Sequence, residues 1–401
     1  MGTIKIISPF FFESSEKCDI IYTNVYIRGG YMVLERKLKL LTEHAKYDVS
    51  CSFGTNERYV YYSKSVKKLR PILKVLFSNA CVYDCAYCIN RRSNNIERAT
   101  FTVDELVEIT TTLYKKNYVV GLFLSSAVIK DPNYTMKQML KVVKQLRVKE
   151  NFPGYIHLKI IPGADEKLVN EAGVFADRIS INVEFLRKND FYLLTPEKKP
   201  EDIQKPLSIA AEKYEEYFHQ RRKYKIQPFS PDGQTTQLIV GISKQSDKKI
   251  LSFASKLYRN YKLKRVYYSG YVAINKDKRL PNTSESIMRE HRLYQADFLL
   301  RFYNFTLDEI FEDSENLDLN LDPKLRWALN HPEFFPIDIS KASFDELIRI
   351  PGVGINKAKK IILLRKEGRL SFETLRKIGV FINNDFIVLK GKRVSAPLFN
   401  F

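Results

Sequence analysis

Short apolar runs alternate with amphipathic stretches along the chain from about residue 73. Six of these runs predict β-strands, at residues 73–77, 119–124, 155–160, 178–183, 237–242 and 265–269. Between them, apolar positions at helical spacing predict helices near residues 136–148, 166–173, 203–220 and 247–260. A further helix is predicted after Thr102, because Thr102 and Glu105 have the spacing of a capping box. Repetition of strand, helix and strand is typical of an α/β fold with a parallel sheet.

The N-terminal region has a different pattern. Residues 4–12 are apolar, but they lack the basic flank and the small-residue cleavage site of a signal peptide. A helical pattern begins at Met32 and continues to about residue 41. We therefore interpret residues 1–31 as an appendage or a misassigned start, and residues 32–70 as a helical lead-in to the main domain, residues 71–300.

The C-terminal region contains a second organised pattern, predicted as residues 341–401. A short capped helix at residues 343–350 precedes a glycine-containing turn and a helix at residues 355–366, and a degenerate copy follows at residues 372–380. This layout resembles a small all-α helix-hairpin-helix domain. In such modules the glycines let backbone N–H groups approach a DNA phosphate, and the next helix adds its dipole. The predicted nucleic-acid contacts are Gly352, Val353, Gly354, Lys357, Lys359 and Lys360.

The charge distribution favours a polyanionic partner. Lysine and arginine outnumber aspartate and glutamate by 66 to 46, a formal net charge of +20. Residues 340–401 carry thirteen basic and five acidic side chains, whereas residues 304–339 carry nine acidic and two basic ones. We therefore interpret residues 301–340 as an acidic connector, which either docks on the basic module or is a solvated linker. No apolar run approaches the ~20 residues that cross a bilayer, so no membrane partner is expected.

Cysteines carry the most specific chemistry in the chain. Cys81, Cys85 and Cys88 form a CxxxCxxC triplet, while the other two cysteines, Cys18 and Cys51, are far away in sequence. Iron–sulfur clusters usually have four cysteine ligands, so a triplet predicts one iron left open for a small molecule. Zinc is an alternative, although the loop contains no histidine. A disulfide is less favoured, because the cysteine count is odd and a reducing cytoplasm is the expected location.

This spacing resembles the signature of the radical S-adenosylmethionine (radical SAM) enzymes. The resemblance implies a partial (β/α)6 barrel, a [4Fe-4S] cluster in the loop after the first strand, and S-adenosylmethionine bound to the open iron. It also implies an electron donor that reduces the cluster, and formation of a 5′-deoxyadenosyl radical that takes a hydrogen atom from the substrate. Tyr87 matches the aromatic position whose backbone meets the adenine in that family.

Polar residues at the predicted strand ends complete the expected cofactor site, because ligands bind at the carboxyl ends of parallel strands. Ser125 and Ser126 replace a family Gly-Gly-Glu segment that meets the amino group of S-adenosylmethionine. Asn182 and Glu184 are two residues apart and are predicted to face one ligand from the same side of a strand, or else to cap loop backbone. The predicted cofactor residues are Tyr87, Ser125, Ser126, Lys159, Asn182, Glu184 and Gln237.

Residues 32–386 resemble a narrower group, the radical SAM proteins assigned to DNA modification or repair and linked to a uracil-DNA-glycosylase-like partner. The segments that carry this likeness include residues 45–48, 85–92, 155–159 and 289–297. Asn90, Arg91 and Arg92 directly follow the cysteines and are predicted to orient substrate or phosphate near the radical, with Arg91 and Arg92 as nucleic-acid contacts. The sequence thus predicts an enzyme that modifies or repairs DNA by radical chemistry. The alternatives are a radical enzyme acting on RNA, including transfer RNA, and a non-catalytic iron–sulfur DNA-binding protein; no catalytic hydrogen donor is singled out.

Overall fold

The computed structural model describes residues 31–46, 52–53, 60–64 and 69–393. Its main sheet has eight strands that lie side by side in chain order. They are β1 (Ser52–Phe53), β2 (Val60–Lys64), β3 (Leu69–Leu76), β4 (Gly121–Ser125), β5 (Tyr155–Lys159), β6 (Arg178–Ser180), β7 (Gln234–Val240) and β8 (Arg265–Gly270). Strands β3 to β8 are parallel, and β1 and β2 extend the sheet as an antiparallel ribbon. The predicted α/β class with a six-stranded parallel half barrel is confirmed.

Helices connect the parallel strands and continue to the C-terminal region. They are α1 (Tyr31–Ala45), α2 (Val103–Lys115), α3 (Pro132–Lys144), α4 (Glu166–Phe175), α5 (Lys188–Leu194), α6 (Glu201–Gln220), α7 (Asp247–Tyr261), α8 (Ile287–Phe302), α9 (Leu307–Ile310), α10 (Pro323–Asn330), α11 (Phe344–Arg349), α12 (Ile355–Lys366) and α13 (Phe372–Lys377). A π-helical turn extends α3 over Gln145–Lys149, and Pro332–Phe334 forms a 3₁₀ turn. Within the described ranges, no helix combines the length and the apolar character needed to cross a membrane.

Local sequence explains where the first barrel helices begin. The Thr102 hydroxyl accepts from the Glu105 amide while the Glu105 carboxylate accepts from the Thr102 amide, so the predicted capping box is confirmed. At α3, the Asp131 side chain accepts from the Tyr134 amide and Pro132 occupies the first turn. Because proline is preorganised for a first helical turn, α3 begins four residues before the predicted position.

Several predicted strand boundaries were wrong, and two of them lie near the site. Strand β6 ends at Ser180 instead of residue 183, because the chain leaves the ladder there and Glu184 adopts a φ of 64°. Strand β7 begins at Gln234 instead of Gln237. The polar run that opens β7 is buried, so its composition concealed a strand that starts directly after Gly233, which has a φ of 74°.

The N-terminal lead-in is also more than a helix. Helix α1 confirms the helical pattern that begins near Met32, but β1, β2 and the start of β3 follow it before residue 71. The predicted boundary between residues 70 and 71 therefore falls inside β3. The proposed appendage, residues 1–31, lies outside the described residues except for Tyr31, the first residue of α1.

Side chains protect the outer edge of the last barrel strand. The β8 amides of Val266, Tyr268 and Gly270 donate to Tyr258 Oη, Tyr294 Oη and Glu290 Oε2 at 2.9, 3.0 and 2.9 Å. An exposed edge strand with unpaired N–H groups would be a template for aggregation. Helices α7 and α8 thus complete the half barrel without a ninth strand at this edge.

The acidic connector is folded and docks on its neighbours. Arg326 of α10 pairs with Asp313 at 2.5 Å and with Asp318 at 2.8 Å, and Glu309 of α9 pairs with Arg349 of α11 at 2.5 Å. Two short strands, β9 (Ile337–Asp338) and β10 (Ile387–Val388), pair in parallel around the C-terminal module, which is otherwise helical. Of the two predicted alternatives, the structure has the docked connector rather than a solvated linker.

Candidate metal and cofactor site

One cavity at the carboxyl ends of the parallel strands brings the predicted cluster and cofactor residues together. Its volume is about 340 Å³, and the loops after β3, β4, β5, β6 and β8 contribute to its wall. All ten predicted residues line it: Cys81, Cys85, Cys88, Tyr87, Ser125, Ser126, Lys159, Asn182, Glu184 and Gln237. Their individual roles stay predictions, but the structure brings them into one cavity from five separate segments of the sequence.

The three cysteines are thiols without disulfide bonds, and they are wholly or partly buried. Cys85 is buried, and Cys81 and Cys88 are partly buried. Burial raises the pKa of Cys88 to about 11, and it also raises the pKa of Cys85 above its ordinary value. The amides of Tyr83 and Asn90 approach the sulfur atoms of Cys81 and Cys88, each at 3.4 Å. Buried thiolates need a compensating positive charge, and an iron cluster would supply it.

The donor set fits a four-iron cluster with one open position. No fourth cysteine lies in the part of the chain that the structure describes around this cavity, and Cys18 and Cys51 lie outside the described residues. Among the described residues, no three His, Cys, Asp or Glu side chains converge closely enough to hold a single metal ion. Cluster thiolates bind different irons, so they need not converge on one point.

Arg98 holds the two ends of the cysteine loop together. Its Nη1 donates to the carbonyls of Asn79 and Asn90 at 2.7 and 2.8 Å, and its Nη2 donates to those of Arg91 and Asn94 at 2.7 and 2.9 Å. Hydrogen bonds from a charged donor are stronger than neutral ones. A single guanidinium thus satisfies four loop carbonyls that no regular secondary structure would satisfy.

A second clamp comes from the loop after β8. Asn275 Nδ2 donates to the carbonyls of Ala86 and Cys88 at 2.8 and 3.0 Å, and its Oδ1 accepts from Asn94 Nδ2 at 2.9 Å. Because both carbonyls belong to the cysteine loop, Asn275 fixes the peptide units that carry Cys88 and its neighbours.

The two arginines predicted to contact phosphate are engaged in the fold. Arg91 Nη1 forms an ion pair with Asp277 at 2.9 Å, and the two side chains are 14% and 13% exposed. Hydrogen bonds from Arg279 and Arg91 hold the pKa of Asp277 below its usual range, so this carboxylate stays charged. Arg92 lies 3.5 Å from Glu197 and remains mostly exposed. Asp277 also pairs with Arg279 at 2.6 Å, so one carboxylate faces two guanidinium groups, and the phosphate contacts of Arg91 and Arg92 both stay predictions.

A buried ion pair lies beside the cysteines. Glu184 accepts from Lys198 Nζ at 2.9 Å and from Tyr87 Oη, which forms a very short hydrogen bond. Burial tends to lower the pKa of Lys198, but Cys85 and Glu184 outweigh it and hold this pKa above its ordinary value. The left-handed backbone of Glu184 is unusual for a residue with a side chain. Hydrogen bonds with the β7 carbonyl of Gln237 and the β7 amide of Ile239 fix that backbone.

The remaining strand-end residues have smaller networks. Ser125 is buried at the end of β4, and Ser126 Oγ donates to the Ala127 carbonyl at 2.7 Å. Asn182 lies beyond the end of β6, so it does not alternate with Glu184 on one strand face, as the sequence predicted. Its amide reaches Gln237 Oε1 only at 3.5 Å, which leaves it able to turn toward a ligand.

His44 and Lys198 are among the lining residues of the cavity that sequence reasoning missed. His44, near the end of α1, contacts Asn90 Oδ1 through Nδ1 at 2.7 Å, and burial lowers its pKa. Its only sequence signal is its position next to residues 45–48, which carry part of the family likeness. Lys198 lies in a polar loop between two prolines, Pro196 and Pro200, where the charge pattern is typical of a solvated loop.

The predicted hairpins have matching geometry. Gly352 and Gly379 have φ values of 77° and 76°, which favour glycine at the same position of each turn. Lys357 Nζ donates to the carbonyls of both glycines, at 3.1 and 2.5 Å, and thus joins the two turns. Lys359 and Lys360 are exposed.

Val353, a predicted nucleic-acid contact, is buried within the C-terminal module. Its side chain is buried in the core of the module, and its amide donates to the Ile350 carbonyl at 3.0 Å. Because both its side chain and its N–H are occupied, Val353 closes the turn. The contact of Val353 with nucleic acid stays a prediction.

Comparisons with known proteins concern the fold. No protein-family model matches the chain, and no curated protein matches it. A similar solved structure is that of the FeFe-hydrogenase maturase HydG from Carboxydothermus hydrogenoformans, with TM-score 0.41 and 11% identity over 56% of this chain and 50% of that chain. Another is coproporphyrinogen III oxidase (HemN) from Escherichia coli, described as a radical SAM enzyme, with TM-score 0.34 and 16% identity over 55% and 50%.

A third similar structure is the cobalamin-dependent S-adenosylmethionine radical enzyme OxsB, with TM-score 0.33 and 13% identity over 74% of this chain and 45% of that chain. This chain spans about half the length of each of these three proteins.

Proposed function

We propose that this protein is a radical SAM enzyme that modifies or repairs DNA. The observation that carries the first half of the proposal is the cavity at the carboxyl ends of the parallel strands. It collects three thiols with no fourth cysteine among its described wall residues, together with polar residues from the ends of several strands. This arrangement suits a cluster with one exchangeable position and a polar cosubstrate beside it.

The residues of the chain would bind the cluster and the cosubstrate, orient them and shield them from water. A bound [4Fe-4S] cluster, reduced by an external electron donor, would supply the electron that cleaves S-adenosylmethionine to the 5′-deoxyadenosyl radical. Cys81, Cys85 and Cys88 would hold that cluster. Ser125, Ser126 and Asn182 offer hydroxyl, amide and carbonyl groups to the amino acid and ribose parts of the cosubstrate.

Glu184 would have a positioning role. Both of its carboxylate oxygens are occupied, by Tyr87 and by Lys198, so it fixes the aromatic ring of Tyr87 within the cysteine loop. The T-shaped contact between Tyr87 and Phe185, with centroids 5.6 Å apart, holds the same ring from another side. The Tyr87 backbone is therefore held where the adenine of the cosubstrate is expected.

The second half of the proposal, DNA as substrate, is supported by the C-terminal module. Two glycine turns joined by Lys357 lie beside a helix that carries the exposed Lys359 and Lys360. Backbone N–H groups and lysines of this kind contact phosphates without reading sequence. The formal charge of +20 adds long-range attraction. A base within a duplex would have to be flipped out to reach the cavity.

Anaerobic assay of S-adenosylmethionine cleavage tests the radical chemistry. The reduced, reconstituted protein should form 5′-deoxyadenosine, and Cys88→Ala should form none. Cys18→Ala is the matched control, because it removes a cysteine outside the triplet and should leave product formation unchanged. Zinc in the reconstituted protein, or equal product from both variants, would refute the proposal.

The substrate is tested separately with deuterium-labelled oligonucleotides. Transfer of deuterium from DNA into 5′-deoxyadenosine supports the DNA assignment, whereas transfer only from RNA assigns the enzyme to RNA. Competition between DNA and RNA at stated salt concentration gives the binding preference, since electrostatic affinity falls steeply with salt. Binding of DNA without any 5′-deoxyadenosine would identify a non-catalytic binding protein.

A further inference from the structure

A continuous stripe on helix α8 connects the cofactor cavity with the first hairpin. Glu290 lines the cavity, while Tyr294 and Phe298 line a second cavity of about 520 Å³ beside Gly352 and Gly354. Residues four apart on a helix lie one above the other on the same face. The stripe therefore runs along the open edge of the half barrel from one candidate site to the other.

The stripe is aromatic and cationic. Phe298 and Phe302 are 42% and 43% exposed, and their ring centroids are 5.4 Å apart. The Arg265 guanidinium of β8 lies 5.2 Å from the Tyr294 ring and 6.0 Å from the Phe298 ring. Exposed aromatic rings with arginine between them are the side chains on which unpaired bases stack, since every base has a π-face.

The acidic groups along this stripe are already occupied. Glu290 Oε2 accepts from the Gly270 amide at 2.9 Å, and Asp322 Oδ1 caps α10 by accepting from the Lys324 and Leu325 amides. Lys324 Nζ donates to the Val353 carbonyl at 2.6 Å and lies 5.0 Å from the Tyr303 ring. The groove beside the hairpin thus combines aromatic surfaces with a carboxylate and a lysine that both have partners within the fold.

The length of the stripe suits a short stretch of single strand. Glu290 and Phe302 are twelve positions apart, so at ~1.5 Å per residue they are separated by about 18 Å along the helix axis. Stacked nucleotides of one strand rise ~3.4 Å each, so about five nucleotides cover this distance. A single strand that follows the whole stripe would therefore cover it with about five nucleotides.

We propose that the α8 stripe, Tyr294, Phe298 and Phe302 with Arg265, binds a single-stranded DNA segment between the hairpin and the cavity. The inference rests on the proposed function and adds a substrate form, an unpaired strand in place of intact duplex. Charge favours this occupant over a second copy of the chain, because two copies each with +20 repel one another. Continuity with the hairpin at one end and with the cavity at the other end defines the path.

Binding of oligonucleotides that contain 2-aminopurine tests the stripe. Single-stranded DNA should bind the wild-type protein with quenched fluorescence. Affinity should increase with oligonucleotide length until about five nucleotides extend beyond the hairpin contact, and longer oligonucleotides should bind no more tightly. Phe298→Ala and Phe302→Ala should each weaken binding about ten-fold and reduce the quenching. Tyr224→Ala is the matched control, because Tyr224 is an exposed aromatic residue away from the stripe, and it should change neither readout.

The outcomes separate this inference from the proposed function. Equal single-strand affinity and quenching in Phe298→Ala, Phe302→Ala and wild type would overturn the proposed role of the stripe. That result would leave 5′-deoxyadenosine formation and duplex binding unaffected. Failure of the wild type to bind any DNA would overturn both. A dimer in light scattering that Phe298→Ala converts to a monomer, without a change in DNA affinity, would assign the stripe to self-association and also overturn the inference.

Discussion

The buried ion pair between Lys198 and Glu184 gives the sharpest stability prediction. In the variant Lys198→Met the apolar stem keeps its packing, but the carboxylate of Glu184 loses its cationic partner in a site that is nearly closed to solvent. We expect a large loss of folding free energy in the cluster-free protein. Since the pair lies against the cysteine loop, the same variant should retain less iron after reconstitution.

The magnitude follows from the geometry. At 2.9 Å and an effective dielectric constant near 20, the attraction is about 6 kcal/mol, which desolvation of the two ions partly offsets. Removing one partner of a buried pair usually costs about 3–5 kcal/mol. Glu184 still accepts from Tyr87 in this variant, so the lower end of the range applies, about 3 kcal/mol.

Urea unfolding of the cluster-free protein, followed by circular dichroism, measures this free energy. Lys213→Met is the matched control, because Lys213 pairs with Glu216 at a similar distance of 3.0 Å but on the surface. That variant should change stability by less than about 0.5 kcal/mol. A Lys198→Met variant as stable as Lys213→Met would refute the reasoning, since it would show that Glu184 does not depend on Lys198.

Three further predictions concern the loop clamp, the buried lysine and the hairpins. Asn275→Ala removes two donors from cysteine-loop carbonyls, so it should destabilise the protein by about 1–3 kcal/mol in urea and speed loss of the visible cluster absorbance. Burial lowers the pKa of Lys324 to about 7, below the ~10.4 of the unfolded chain. At pH values between about 7 and ~10.4, the unfolded chain binds more protons than the folded protein. As the pH rises through this range, the free energy of unfolding of the wild type should therefore increase relative to that of Lys324→Met, by up to about 1.4 kcal/mol per pH unit. A difference in urea midpoint between the two proteins that does not change with pH would contradict this. Lys359→Ala and Lys360→Ala should each lower the salt slope of DNA affinity by about 1, and unchanged slopes would show that these lysines miss the phosphates.

The barrel was predictable because its strands are apolar and its helix starts are marked by local signals. The cysteine spacing predicted the residues of one wall of the cavity, and polar residues at the strand ends predicted residues of the other walls. These are short-range features that a sequence displays directly. The first residues of β7 were not predicted as strand, because the buried polar run from Gln234 to Thr236 has the composition of a turn.

The missed features depend on contacts between distant segments. Lys198 acquires its role from Glu184, and Arg98 acquires its role from four carbonyls of the loop that precedes it. Arg91 pairs with Asp277, which is 186 positions away in sequence, so the sequence alone does not reveal this ion pair. Charge in a sequence shows that an ion is present, but only the fold shows whether that ion is already paired.

The central claim is that the three cysteines hold a cluster with an iron open to S-adenosylmethionine. Electron paramagnetic resonance of the reduced, reconstituted protein tests it most directly, with and without the cosubstrate. The account predicts a reduced cluster whose spectrum changes when S-adenosylmethionine is added, and no cluster signal in Cys85→Ala. A spectrum that the cosubstrate leaves unchanged would contradict the account, because it would mean that the fourth iron is closed.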